Sequence, residues 1–127
     1  MIIGHGIDLV ETARIGELCE RHGERFLQRC FTDTERDYCG RHRQSAKHFA
    51  ARFAAKEAVV KAMGTGIRDG IGWTQIEVTR DPAGRPGVAL SGRAAELASE
   101  QGITQWALSL THTRDHAMAS VIATDDD

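Results

Sequence analysis

From Ile2 to Val10 the chain is rich in β-formers and alternates, which predicts a strand with Ile3, Ile7 and Leu9 on one face. Ile2, Gly4, Gly6, Asp8 and Val10 fall on the other. Asp8 thus shares a line with two glycines, where another backbone or a ligand can approach closely. After Glu11 the period changes: Ile15, Leu18 and Cys19 recur at helical spacing up to Gly23, and a shorter helical piece runs through Phe26 and Leu27. Thr32-Asp33-Thr34-Glu35 matches a capping box, with Thr32 as N-cap and Glu35 reaching back to it, and Tyr38 and Cys39 on the inner side of the helix. The longest predicted element runs from about Ser45 to Met63. Its Phe49, Phe53, Val60 and Met63 fall within roughly 80° of arc, an amphipathic stripe with Glu57 and Lys61 on its shoulder. Gly64-Thr65-Gly66 ends that helix.

In the second half, Trp73 to Thr79 and Gly87 to Leu90 read as strands joined by the turn Asp81-Pro82-Ala83-Gly84. Ser91 to Gly102 reads as a helix, and Gln105 to His112 and Ala117 to Ala123 as two further strands. The order β-α-α-α-β-β-α-β-β predicts an α+β fold, a mostly antiparallel sheet packed against a long helix. At 127 residues the chain is expected to form one domain, residues 1–127, and no repeat, low-complexity tract or linker interrupts it.

Composition adds mainly exclusions. Hydrophobic residues make up 41% and charged residues 27%, as in ordinary globular proteins. No run approaches the ~18 apolar residues of a membrane helix, and the first residues lack the pattern of a signal peptide, so a cytoplasmic protein without membrane contact is expected. The net charge of −2 gives no ground for nucleic-acid binding. Charge is nevertheless uneven: seven arginines lie between Arg14 and Arg43, and Asp125-Asp126-Asp127 is expected to be a frayed acidic end. Cys19, Cys30 and Cys39 are too few and too scattered for a disulfide framework or a zinc knuckle and read as reduced structural thiols.

Three features carry candidate chemistry. Asp8 is an acid in an apolar strand. Glu57 and Lys61 stand one helical turn apart, either as a plain i,i+4 pair or as an oxygen donor beside a cation. Gly64 and Gly66 mark either a helix end or a loop approaching phosphate, although no Walker pattern is present. Two carboxylates brought together by strand-on-helix packing would suit magnesium, which takes one or two protein carboxylates plus phosphate oxygens and water. His112, on a face with Trp106, Leu108 and Leu110, is a rim residue or a ligand contact. The residues alone stop at a magnesium and phosphate site in a small α+β domain.

Taken together, the segments resemble the bacterial holo-acyl-carrier-protein synthases, a branch of the phosphopantetheinyl transferases. The resemblance rests on Gly6-Ile7-Asp8-Leu9-Val10-Glu11 with Arg14-Ile15, on Phe31-Thr32 with Glu35 and Tyr38, and most densely on Phe49 to Gly66. Ile76-Glu77-Val78, Gly84-Arg85-Pro86 and Ser109-Leu110-Thr111-His112-Thr113 follow in the family's order. It implies the phosphopantetheinyl transferase fold and a Mg2+-dependent transfer of 4'-phosphopantetheine from coenzyme A to a serine of apo-acyl carrier protein, which serves fatty acid biosynthesis. By the same resemblance Asp8 and Glu57 hold the metal, Lys61 offsets phosphate charge, and Arg52, Gly64, Gly66, Arg85, Pro86, Ser109 and His112 border coenzyme A. His112 and Arg85 are the candidates for its 3'-phosphate. The serine proton is taken by Glu57 through water, by a water on the metal, or by Asp8. Arg14, Arg21 and Arg25 are expected to dock the acidic carrier protein, and a homotrimer with sites between subunits is expected. A magnesium-dependent nucleotide pyrophosphate hydrolase and a non-catalytic coenzyme A or carrier-protein binding module are the rival readings.

Overall fold

The two glycines that flank His5 determine how the first strand meets the long helix. In a computed structural model, which describes residues 1–68 and 70–126, β1 (Ile2–Glu11) lies directly on α4 (Ser45–Met63). A Cβ at Gly4 or Gly6 would collide with the carbonyl oxygen of Ala62 or Ala58. Only glycine permits this backbone-to-backbone approach. Gly6 and Val10 are buried and Asp8 is half-buried on the face toward α4, whereas Ile7 and Leu9 are 51% and 61% exposed on the other.

Between these two elements run α1 (Thr12–His22), α2 (Glu24–Cys30) and α3 (Asp33–Gly40). The capping box is present: Glu35 N–H donates to Thr32 Oγ1 at 3.3 Å and Thr32 N–H to Glu35 Oε1 at 2.9 Å. After α4 come β2 (Ile76–Arg80), β3 (Pro86–Leu90), α5 (Gly92–Glu100), β4 (Gln105–His112) and β5 (His116–Thr124). The expected α+β architecture is thus found, with its strands divided between two antiparallel sheets, β1-β5-β4 and β2-β3. In the first, Asp8 pairs with Ala119 and Ile7 with Ser120. The turn Asp81–Gly84 closes β2 on β3: Gly84 N–H donates to Asp81 O at 2.8 Å, and Gly84 takes a φ of 89°.

Four expectations are corrected. The helix α4 is not a one-sided amphipathic element. Its alanines let strand and helix backbones close in around it, and residues 49–56 are all buried, Arg52 and Lys56 included. The strand expected from Trp73 begins instead as a 3₁₀ turn, Trp73–Gln75, whose Trp73 carbonyl accepts from Lys56 Nζ at 3.0 Å. The helix expected from Ser91 to Gly102 is shorter at each end, because Gln101 caps it and Gly102 turns away at a φ of 80°. The acidic end is tied down: Asp125 receives the Met1 ammonium at 2.9 Å and Asp126 accepts from Thr104 at 2.9 Å. Asp127, the last of the acidic run, lies outside the described residues.

Free Cys30 and Cys39 are buried, and burial pushes the Cys39 thiol up to about 12, so it stays protonated and inert. Among the described residues no helix is long and apolar enough to cross a membrane.

Candidate functional site

Packing of β1 on α4 brings two carboxylates distant in sequence near enough for the charge of one to be felt by the other. Asp8 points inward from the strand because it occupies the same face as Gly4 and Gly6. Glu57 rises from the helix at its half-buried edge. Burial raises the Glu57 pKa above the ordinary carboxylate value and the charge of Asp8 raises it further, while Lys61 and Arg14 pull it down. The two acids and two cations therefore share one electrostatic neighbourhood.

Of the two readings of Glu57 and Lys61, the plain i,i+4 pair is not formed. The Lys61 ammonium donates instead to Asp8 Oδ1 at 2.9 Å and to the Ile7 carbonyl at 3.1 Å, because β1 lies close to the helix there. Glu57 has no hydrogen bond or ion pair among the described residues. One acid is thus paired and the other is held ionisable without a partner. No group of three or more His, Cys, Asp or Glu among the described residues is arranged to hold a metal. The donor set nevertheless fits magnesium, which commonly uses one or two carboxylates and completes its shell with phosphate and water. Mutual repulsion of the two acids is the strain that a cation would relieve.

A second region lies toward the N-terminal half of α4. Two guanidinium groups stand over the Tyr38 ring, Arg52 at 4.6 Å and Arg80 at 5.0 Å from its centroid. These residues line a cavity of about 350 Å³ with His48, Pro86 and His112. Neither arginine has an ion-pair partner among the described residues, and Arg52 is only 3% exposed. A guanidinium withdrawn from water without a carboxylate calls for an anion.

The sequence-derived candidates thus separate. Asp8, Glu57 and Lys61 converge, with Arg14 near enough to be felt by Glu57. Arg52, Pro86 and His112 share the Tyr38 cavity. Gly64 and Gly66 follow α4 with φ of 76° and 73° and open space where a side chain would stand. Arg85 lies outside the cavity lining, its backbone N–H bound to Asp81 Oδ1 at 2.8 Å. Ser109 is exposed on the opposite face of β4 from His112 and pairs with Ser120. Arg25 borders an apolar groove with Leu18, Phe26, Phe53 and Trp73, and Arg21 is exposed on α1.

Two features were missed by reading the sequence. Arg80 belongs to no motif, and its role emerges only when β2 brings it over Tyr38. Lys56 and Glu35 form a fully buried ion pair at 2.7 Å on the other side of α4 from the open site. The capping box could have signalled the place of Glu35, since its other oxygen also accepts from Val78 N–H at 2.7 Å.

Known proteins match nearly the whole chain. The model of the 4'-phosphopantetheinyl transferase superfamily matches residues 4–121. A holo-[acyl-carrier-protein] synthase of Koribacter versatilis is 48% identical, the match covering 98% of this chain and all of that protein. The crystal structure of the holo-[acyl-carrier-protein] synthase from Neisseria meningitidis superposes with a TM-score of 0.89 at 36% identity, over 98% of this chain and 100% of that one. That of the Helicobacter pylori enzyme in complex with coenzyme A superposes with a TM-score of 0.84 at 29% identity, over 94% and 99% of the two chains.

Proposed function

Because the chain belongs to the 4'-phosphopantetheinyl transferase superfamily and, within it, to the holo-[acyl-carrier-protein] synthases, we propose that it moves 4'-phosphopantetheine from coenzyme A to a serine of apo-acyl carrier protein. The observation that carries this reading is the convergence of Asp8 and Glu57 across the glycine-lined contact of β1 with α4. Asp8 and Glu57 would hold a magnesium ion, which when bound polarises a diphosphate oxygen as a Lewis acid. Lys61, now on Asp8, turns its ammonium to the phosphate charge that arrives beside it. The serine hydroxyl gives up its proton to a nearby water or carboxylate, Glu57 or Asp8, its oxygen bonds to the β-phosphorus as the bridging P–O bond of coenzyme A breaks, and adenosine 3',5'-bisphosphate departs.

The Tyr38 cavity takes the 3'-phosphate. Arg52 and Arg80 flank it as forked donors suited to a phosphomonoester, with His112 at the rim and Pro86 as an apolar wall. Gly64 and Gly66 let the loop after α4 approach the rest of the ligand. Arg85 and Ser109, which lie away from this cavity, are read as reaching coenzyme A from a neighbouring copy.

The ligand would span both regions. Arg52 precedes Glu57 by five residues, roughly 7–8 Å along the axis and about 140° around it. Two sites so turned from each other suit a cleft completed by a second subunit, and the outer sheet face, with exposed Ile7 and Leu9, offers apolar surface for a homotrimer. Arg14, Arg21 and Arg25, with the groove that Arg25 borders, form the surface for an acidic carrier protein. We read the chain as one cytoplasmic domain.

The test is incubation with coenzyme A, magnesium and apo-carrier protein, followed by mass spectrometry of the carrier. A carrier heavier by one phosphopantetheine group supports the reading. An unmodified carrier with free phosphopantetheine in solution indicates a hydrolase, and an unmodified carrier with intact coenzyme A indicates a binding module.

A further inference from the structure

His42, His48 and His112 crowd the edge of the Tyr38 cavity. The His42 and His48 rings stack with centroids 3.9 Å apart and planes at 24°. His112 turns toward His48 at 6.2 Å, and Tyr38 meets His42 and His48 edge-on at 4.7 Å and 5.9 Å. The groups facing His48 from each element around it are neutral or cationic. They are Tyr38 from α3, His42 from the α3–α4 connection, Lys47 and Arg52 from α4, and His112 from β4, with Arg80 of β2 on the same cavity. No acidic side chain lines this cavity among the described residues.

We propose that the His42–His48 stack couples anion binding to proton uptake, so that a phosphomonoester entering the Tyr38 cavity draws a proton onto His48. This rests on the reading of that cavity as the phosphate site. Two parallel imidazoles in van der Waals contact beside a guanidinium cannot both be charged unless a counter-charge is at hand. In the free protein burial, followed by the charges of His42, Arg52, His112 and Lys47, lowers His48 to about 4, and it is neutral at working pH. A phosphate in the cavity reverses the sign of the field at that ring. By reciprocity, whatever the anion does for the proton the proton does for the anion. Affinity for the phosphomonoester therefore strengthens as pH falls, and His48 tunes it.

The experiment is calorimetric titration of adenosine 3',5'-bisphosphate into the full chain, between pH 7.5 and pH 5, in buffers of different ionisation heat. Wild type and His48→Phe are compared, so that the ligand's own phosphate protons cancel in the difference. If a facing phosphate lifts His48 from about 4 to about 6, a rise of ordinary size for an opposite charge, wild type takes up about half a proton more than the variant at pH 6. The ratio of the two affinities then grows about tenfold from pH 7.5 to pH 5. Equal proton counts and a constant ratio overturn the proposal while leaving the phosphate site intact. An affinity unchanged by Arg52→Gln removes the phosphate site itself, and the proposal with it. NMR titration of the His48 ring in wild type gives the same answer without a variant: its midpoint rises on saturation with the bisphosphate, and an unmoved midpoint refutes the coupling.

Discussion

Lys56 and Glu57 are neighbours in sequence and opposites in circumstance. Lys56 is fully buried and fully matched: its ammonium meets Glu35 at 2.7 Å and the carbonyls of Trp73 and Ile76. Burial lowers its pKa, and the Glu35 carboxylate opposes that fall. Glu57, about 100° further round the same helix, is half-buried beside a like charge and has no bonded partner among the described residues. One charge is used to fix structure, since every donor finds an acceptor and nothing remains to bind. The other is left short of partners at an open edge, and so retains chemistry to offer. The comparison teaches that the degree of satisfaction, rather than burial or charge, separates a structural ion from a functional one.

The largest effect comes from breaking the satisfied side. Lys56→Met should leave the Glu35 carboxylate uncompensated in the core and cost about 3–5 kcal/mol of stability. Urea unfolding would show a lower midpoint, and pairing the change with Glu35→Gln should recover part of the loss. If the single variant unfolds like wild type, the buried pair is not holding α3, α4 and β2 together.

On the unsatisfied side the expected loss is kinetic. Glu57→Gln or Asp8→Asn should lower kcat about a thousandfold, some 4 kcal/mol of transition-state stabilisation, with the circular dichroism spectrum intact. Steady-state transfer to carrier protein measures it. Retention of more than a tenth of the rate by both variants would place the chemistry elsewhere.

What the chain disclosed in advance follows the same division. Asp8 was legible because a strand's period of two put it in line with Gly4 and Gly6, and those glycines required a close neighbour. The capping box was legible because Thr32 and Glu35 are three residues apart. The buried pair was not, because the carbonyls that take the Lys56 protons lie 17 and 20 residues away. No local pattern separates such a lysine from a solvated one. The partner of Lys61 was out of reach for the same reason: helical spacing offered Glu57 as one alternative, and a strand 53 residues distant supplied Asp8. The Tyr38 cavity draws on α3, α4, β2, β3 and β4, so its motifs appeared as scattered single residues.

The carrier surface sharpens the comparison further. Arg14 is felt by Glu57, whereas no such influence reaches Glu57 from Arg21 or Arg25. Arg21→Glu and Arg25→Glu should raise the KM for carrier protein about three- to tenfold and spare that for coenzyme A. Arg14→Glu should also reduce kcat, because it places a third negative charge near the two acids. Identical kinetic profiles for all three would dissolve the distinction between docking and tuning arginines.

The smallest effect is the most diagnostic, because its sign is opposite to that at Lys56. Burial and Asp8 hold the Glu57 pKa above its value in the unfolded chain, so the folded protein binds that proton more tightly. Stability contributed by the group is fully present below the unfolded pKa and is lost as pH rises through the folded one. At neutral pH, with magnesium removed by a chelator, the ionised carboxylate is therefore a net cost to the fold. Glu57→Gln should raise Tm by roughly 1–3 °C at pH 7, and the gain should fade toward pH 4 as the wild-type carboxyl takes up its proton. A variant that melts below wild type at pH 7 would mean that Lys61 and Arg14 already satisfy Glu57. The helix would then carry two structural charges where we read one structural and one functional.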